Sequence, residues 1–213
     1  MGGYPSHVLS ACQTTEQTRD RVTAFFTEVT FGDNTSLVSE QQLNTRRVRR
    51  WQTAPTVAIQ GAPSESQRQA VAESVTRISS ATGLNVTLTD GSGDIIINFT
   101  DEREFVIRKN VAAGCYAHTR RRGDRIRSVE IKIGKRSDPE TVWCLDHELM
   151  HAFGFFGHSH RLRSVMSASH HEVRLTDWDL MALRILYDPG VTEGDKWADI
   201  RPIALKYINR EIE

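Results

Sequence analysis

The chain has 213 residues, of which 38% are hydrophobic and 25% are charged, and its 27 basic side chains balance 27 acidic ones. This composition is typical of one globular domain, and the balanced charge argues against a field that would attract nucleic acid or anionic lipid. Because no run approaches the roughly 18 apolar residues of a membrane-spanning helix, we expect no transmembrane segment.

The N-terminal segment carries a possible processing signal. Residues 1–13 are expected to be disordered or processed, and residues 14–213 to form one domain. Leu9-Ser10-Ala11-Cys12 resembles a bacterial lipobox, in which the cysteine becomes lipidated after signal cleavage. The apolar stretch that precedes a lipobox is absent, so a trimmed precursor and a coincidence both stay open. We expect an exported protein, either periplasmic, anchored in the cell envelope at Cys12, or secreted.

Hydrophobic spacing predicts the elements of the first half. Apolar residues recur at i, i+3, i+4 and i+7 from about residue 15 to residue 32, which indicates an amphipathic helix. A strand–helix–strand unit follows, in which Ser64 and Gln67 form a capping box at the helix start and Gly83 ends the helix. That order predicts a right-handed crossover and a mixed sheet. The strands of this half are expected at 56–60, 84–88 and 94–99.

A hairpin is expected next, from strands at 114–119 and 128–133. In its second strand, apolar residues alternate with polar ones, which gives one buried face. Cys115 and Cys144 lie in the segments that flank this hairpin. A disulfide between them could tether the following helix to the sheet, and two buried free thiols are the alternative.

The segment after the hairpin is expected to form one helix of about four turns. Asp138 is a plausible N-cap, Pro139 suits the first helical position, and Gly154 can end the helix in a left-handed conformation. Two further helices are predicted. The first begins after Thr176, which can form a capping box with Asp179, and the second runs from about residue 202 to the C-terminus.

His147 to His151 carry the pattern H-E-x-x-H, which is the signature of zinc hydrolases. On a helix, histidines four residues apart lie on one face, opposite the apolar stripe of this segment. Both imidazoles can therefore bind one Zn²⁺ ion from a rigid support. Glu148, beside the first histidine, can reach a water held by the metal and act as general base.

Residues beyond the helix extend the pattern. His158 follows Gly157, and Met166 follows in the segment Ser164-Val165-Met166-Ser167. Here the chain resembles the metzincin zinc peptidases, whose pattern is H-E-x-x-H-x-x-G-x-x-H followed by a methionine turn. The phrase from Gly157 to Ser159 is similar to the matrixin branch. The metzincin spacing places the third ligand at 157, so His158 requires a one-residue bulge, and His160 is the rival ligand.

The metzincin resemblance implies an α+β fold. We expect a single zincin-like metallopeptidase domain over residues 14–213, with a twisted mixed sheet packed on the active-site helix and further C-terminal helices. In metzincins the edge strand before that helix aligns the substrate, and 114–119 is the candidate here. His118 on that strand could contact substrate or be a surface histidine. His170 and His171 are expected at the cleft rim or surface.

A broader likeness covers more of the chain. The pattern comprises Val48-Arg49-Arg50-Trp51, a cysteine close before the H-E pair, Leu175-Thr176-Asp177 and Leu186-Tyr187-Asp188-Pro189. It is similar to a family of uncharacterised, exported bacterial proteins with zincin-like helices.

These resemblances imply a monomeric, zinc-dependent endopeptidase that hydrolyses protein or peptide substrates, with Glu148 as general base. The alternative is a catalytically inactive zincin-like binding module of the bacterial cell envelope. The off-register His158 favours that alternative, as does Ala168, which stands where astacin-like enzymes have a tyrosine two residues after the methionine.

Overall fold

A computed structural model describes residues 6–33, 35–109, 111–168 and 172–212. Its helices are α1 (Ser6–Phe31), α2 (Glu40–Leu43), α3 (Glu65–Thr82), α4 (Asp138–Ala152), α5 (Asp177–Leu186) and α6 (Trp197–Ile212). Its strands are β1 (Thr56–Gly61), β2 (Thr87–Thr89), β3 (Ile95–Phe99), β4 (Phe105–Arg108), β5 (Val111–Ala113), β6 (Cys115–Arg122) and β7 (Arg125–Ile133).

The main sheet has five strands in the order β2-β1-β3-β7-β6. β1 is parallel to β2 and β3, and β3 is parallel to β7, whereas β6 pairs antiparallel with β7 and forms one edge. β4 and β5 form a separate antiparallel pair. The predicted α+β fold with a mixed sheet is thereby confirmed, and so is the hairpin before α4.

Helix α4 packs against α3, β6 and β7. Leu145, Leu149 and Ala152 of the predicted apolar stripe have no exposed surface. Their burial keeps the helix from rotating about its axis, because any rotation would expose apolar surface to water. The opposite face of α4 therefore has a fixed direction.

A disulfide joins the edge strand to this helix. Cys115 at the start of β6 is bonded to Cys144 of α4, with an S–S distance of 2.06 Å. The predicted pair is confirmed, and the alternative of two free thiols is wrong. Disulfides are typical of proteins that fold in an oxidising compartment.

Several element boundaries differ from those expected. α4 begins at Asp138 with Ser137 as its N-cap, because Ser137, and not Asp138, bonds to Glu140 through its N–H and its hydroxyl. α6 begins at Trp197, before the expected residue 202. The N–H of Lys196 donates to the Asp199 carboxylate over 2.8 Å and opens the helix there.

Differences also occur towards the N-terminus. α1 begins at Ser6, so residues 6–13, expected to be disordered or processed, lie in this helix. The short helix α2 follows α1, and its capping box pairs Ser39 with Gln42. No helix in the described part of the chain combines the length and apolarity needed to cross a membrane.

Replacing Cys115 and Cys144 together by serine should lower the free energy of unfolding by about 3–4 kcal/mol, because the bond constrains the unfolded chain. The constraint spans a sequence separation of 29 residues. Urea denaturation of both proteins measures the difference, with Cys12→Ser as the control that leaves the disulfide intact. Equal stability of the wild type and the double variant would contradict this account.

Candidate metal centre

Three histidines converge near the C-terminal end of α4. The ligand atoms of His147, His151 and His158 all lie within 4.8 Å of one another. The Nε2 atom of His147 is 3.1 Å from that of His151 and 3.3 Å from that of His158. Tetrahedral zinc with nitrogens at about 2.0–2.1 Å separates neighbouring ligands by about 3.3–3.4 Å. The three rings therefore have a spacing that a metal ion can bridge.

Backbone carbonyls orient two of these rings. Nδ1 of His147 lies 2.7 Å from the carbonyl oxygen of Val165, and Nδ1 of His151 lies 2.5 Å from that of Phe155. A carbonyl can only accept, so each Nδ1 carries the proton and each Nε2 presents a lone pair. Bonds of this kind fix the tautomer and direction of metal-binding histidines.

His151 is held in its neutral form. Burial, together with the adjacent His158 ring, lowers the pKa of His151 to about 4, although the Phe155 carbonyl opposes the shift. A neutral imidazole is the form that coordinates a metal. At neutral pH the ring is consequently ready to bind without first losing a proton.

The structure brings His158 into the group at the position where metzincin spacing expects residue 157. The N–H of Gly157 donates to the carbonyl of Val29 over 3.1 Å, and a Cβ at 157 would lie 2.1 Å from the carbonyl oxygen of Glu28. Residue 157 therefore packs against the backbone of α1, and the next residue carries the ring. His160 is exposed and lies outside the group of three found among the described residues.

A buried carboxylate of α1 anchors the loop that carries His158. Glu28 is 4% exposed and accepts hydrogen bonds from the Ser159 hydroxyl at 2.6 Å and from Nε of Arg161 at 3.2 Å. Asp33, just beyond α1, accepts from the N–H of His158 and lies 3.5 Å from its Nδ1. Sequence reasoning missed both acids, because only the folded chain brings them to the loop.

Met166 lies in a turn that contacts His147 through the carbonyl of Val165. The N–H of Ser167 donates to the carbonyl of Ser164 over 3.2 Å, and Met166 has no exposed surface. The Met166 carbonyl accepts from Ser159 at 3.1 Å, which ties the turn to the His158 loop. Asp179 of α5 accepts from the N–H of Val165 at 3.3 Å. These hydrogen bonds hold the turn in place, so that the carbonyl of Val165 stays within reach of His147.

Residues of the broader sequence pattern hold the C-terminal end of α4. Nε1 of Trp51 donates to the carbonyl of Ala152 over 2.9 Å, and the Tyr187 hydroxyl donates to that of Phe153 over 3.0 Å. Carbonyls at a helix end lack partners within the helix, and these two side chains supply them. The pattern thus supports the helix end that positions His151.

Asp146, directly before His147, fixes α4 through contacts with α3 and with the segment before α5. It has no exposed surface and accepts hydrogen bonds from the hydroxyl of Ser74 and from the N–H of Leu175. Burial raises the pKa of Asp146, and the two hydrogen-bond donors offset this shift only in part. Asp146 therefore links α4 to α3 and to the segment before α5. Its position beside the H-E pair gave no signal of this role.

Glu148 and the three histidines all line one cleft of about 570 Å³ between α4 and the edge strand β6. Glu148 is 4% exposed, and burial raises its pKa to about 8, although the N–H of Ala117 opposes the shift by donating to the carboxylate. The predicted metal ligands and the predicted base consequently face the same space.

Most residues of the predicted edge strand line the cleft, whereas His118 does not. Residues 114–119 belong to the edge strand and the residue before it, as expected. His118 is exposed opposite Glu130 and is not among the residues that line the cleft. His170 and His171 lie outside the described residues.

Comparison with protein families places the chain in one of them. A family model described as "Protein of unknown function (DUF2927)" matches residues 19–206. The chain belongs to this family. A search of curated proteins found no significant match. The match to DUF2927 includes all three histidines, Glu148 and both residues that hold the end of α4.

We expect His158→Ala to weaken Zn²⁺ binding by more than about 100-fold, because loss of a ligand should exceed the 10–100-fold cost of losing a supporting partner. His160→Ala is the matched control and should retain wild-type affinity. Competition of each purified protein with a chromophoric chelator measures the affinities. Undiminished binding by His158→Ala, with loss in the control, would transfer the role to His160.

Proposed function

We propose that this DUF2927 protein is a zinc-dependent endopeptidase. The observation that carries the proposal is the convergence of three imidazole Nε2 atoms and one buried glutamate on a single cleft. Three histidines supply three of the four positions around tetrahedral zinc, which is the arrangement of catalytic rather than structural sites.

The donor set supports zinc among the transition metals. Neutral imidazole nitrogens suit Zn²⁺, and a spacing of 3.1 and 3.3 Å between Nε2 atoms fits its tetrahedral geometry. When bound, Zn²⁺ supplies a Lewis acid that polarises a carbonyl oxygen and activates water at neutral pH.

Glu148 is suited to proton transfer in this cleft. Its pKa of about 8 is close to neutral pH, where a group can both accept and release a proton. A divalent cation held by the adjacent histidines would favour the carboxylate form. Glu148 then takes the proton of the attacking water and passes it to the amine that leaves.

The edge strand offers a way to align a peptide. Because the N–H of Ala117 donates to Glu148, it points away from β7 and towards the cleft. The period of two along a strand directs the main-chain groups of Cys115 and Thr119 to the same side, and both residues line the cleft. An extended substrate can add there as a further strand through main-chain hydrogen bonds.

The proposed setting is outside the cytoplasm. The disulfide between Cys115 and Cys144 supports export, since such bonds persist in oxidising compartments. Lipidation of Cys12 and a monomeric state stay predictions.

Glu148→Gln should reduce cleavage of an unfolded protein by about 10²–10⁴-fold, the range that a positioned general base contributes. Zinc content should be unchanged, because the amide preserves the side-chain shape and the three histidines are intact. Elemental analysis and a fluorogenic casein assay measure the two quantities. Glu65→Gln, an exposed residue in the first turn of α3, is the control and should match the wild type.

Two results would contradict the proposal in different ways. Wild-type cleavage rates in zinc-loaded Glu148→Gln would remove the glutamate from the mechanism. A different result would favour a binding module: zinc-loaded wild-type protein would cleave none of a broad panel of unfolded proteins.

A further inference from the structure

The charged residues that line the cleft are unevenly placed. They are Arg108, Arg136 and Glu148. Glu148 is buried beside the histidines, whereas Arg136 lies two residues before the start of α4 and contacts the residue that precedes β6. The end of the cleft at which β6 begins is consequently basic.

Arg136 has a fixed guanidinium. Its Nε donates to the carbonyl of Gly114 and its Nη2 to that of Arg103, both over 3.2 Å. A Cβ at 114 would coincide with the guanidinium, so the glycine provides the space in which it lies. Restricting a long side chain in this way reduces the entropy lost when it binds a ligand.

The positive charge of Arg136 forms no salt bridge within the described chain. Both of its hydrogen-bond partners are neutral carbonyls, and no described carboxylate lies within 4.0 Å of Arg136 or Arg108. Glu140, at the start of α4, accepts hydrogen bonds from Ser137, and Arg136 acts on this carboxylate only over more than 4.0 Å, where its charge contributes to lowering the pKa of Glu140. The guanidinium therefore retains N–H donors for an anion in the cleft.

The distance from the reacting groups can be counted along β6. Glu148 contacts the strand at Ala117, three residues after Gly114. At about 3.2–3.4 Å per residue, Arg136 lies roughly 10 Å, or three residues of an extended peptide, from the bond to be cleaved. Antiparallel pairing, the more stable arrangement, places those residues on the C-terminal side of that bond.

We propose that Arg136, with Arg108 at the rim, binds a carboxylate of the substrate about three residues C-terminal to the cleaved bond. The inference rests on the proposed endopeptidase function and gives it a substrate class: peptides that carry an acidic side chain or a free C-terminal carboxylate at that position. Guanidinium and carboxylate form paired, charge-assisted hydrogen bonds, which match the fixed fork of Arg136.

The other end of the cleft provides a control. Arg49 and Arg121 approach the ring of Phe156, which lines the cleft, at 5.1 and 5.8 Å from the ring centre. Arg49 is paired there with Asp124 at 4.0 Å. Arg121→Gln removes one positive charge near the cleft and leaves Arg136 and Arg108 unchanged. It therefore distinguishes a specific contact of the substrate carboxylate with Arg136 from nonspecific attraction of an anionic peptide to the cleft.

The test measures binding without turnover, in zinc-loaded Glu148→Gln protein. Fluorescein-labelled peptides differ only in Glu or Gln at the third position after the central bond, or in a C-terminal acid or amide there. Fluorescence anisotropy should show about tenfold tighter binding of the carboxylate peptide, the effect of a charge-assisted hydrogen bond. Adding Arg136→Gln should abolish this preference, Arg136→Lys should retain part of it, and Arg121→Gln should leave it intact.

The outcomes separate this inference from the proposed function. Preference for Glu over Gln identifies a side-chain carboxylate, and preference for acid over amide identifies a chain terminus. Equal binding of all peptides, no binding of any, or a preference that persists in Arg136→Gln would overturn the inference. A preference that depends on Arg136 in a wild-type protein that cleaves nothing would support the inference and refute the endopeptidase. Cleavage without any acid preference would do the reverse.

Discussion

Two carbonyl oxygens, those of Val165 and Phe155, determine the direction of the histidine rings on α4. Helix geometry brings His147 and His151 to one face, but each ring can still turn about its own bonds. The hydrogen bond to Nδ1 removes that freedom and leaves Nε2 pointing into the cleft. The site therefore depends on whatever holds these two carbonyls in place.

The scaffold holds them by linking distant segments. Phe155 follows directly after the helix end that Trp51 and Tyr187 support, and Val165 lies in a turn bound to Asp179. Trp51 and Tyr187 of the broader sequence pattern contact the end of α4 rather than the cleft, and they therefore position His151 indirectly.

Local signals predicted much of this architecture from sequence. The i,i+4 histidines, the alternation in β7 and the capping boxes of α3 and α5 each depend on neighbours along the chain. The reason why His158, and not residue 157, joins the other two histidines could not be derived in that way. It follows from contact between Gly157 and the backbone of α1, more than a hundred residues earlier. Glu28 is recognised as the anchor of that loop only once the two segments are brought together.

The cleft carries an electrostatic cost that the rest of the fold must offset. Burial raises the pKa of Glu148 and lowers that of His151, so each group is disfavoured in its charged form. A cation between the rings would stabilise the Glu148 carboxylate and would bind the neutral imidazole of His151. Metal binding and stability would therefore be coupled. The disulfide between Cys115 and Cys144 keeps β6 against α4 whether or not a cation is bound, so the cleft does not rely on metal alone for its shape.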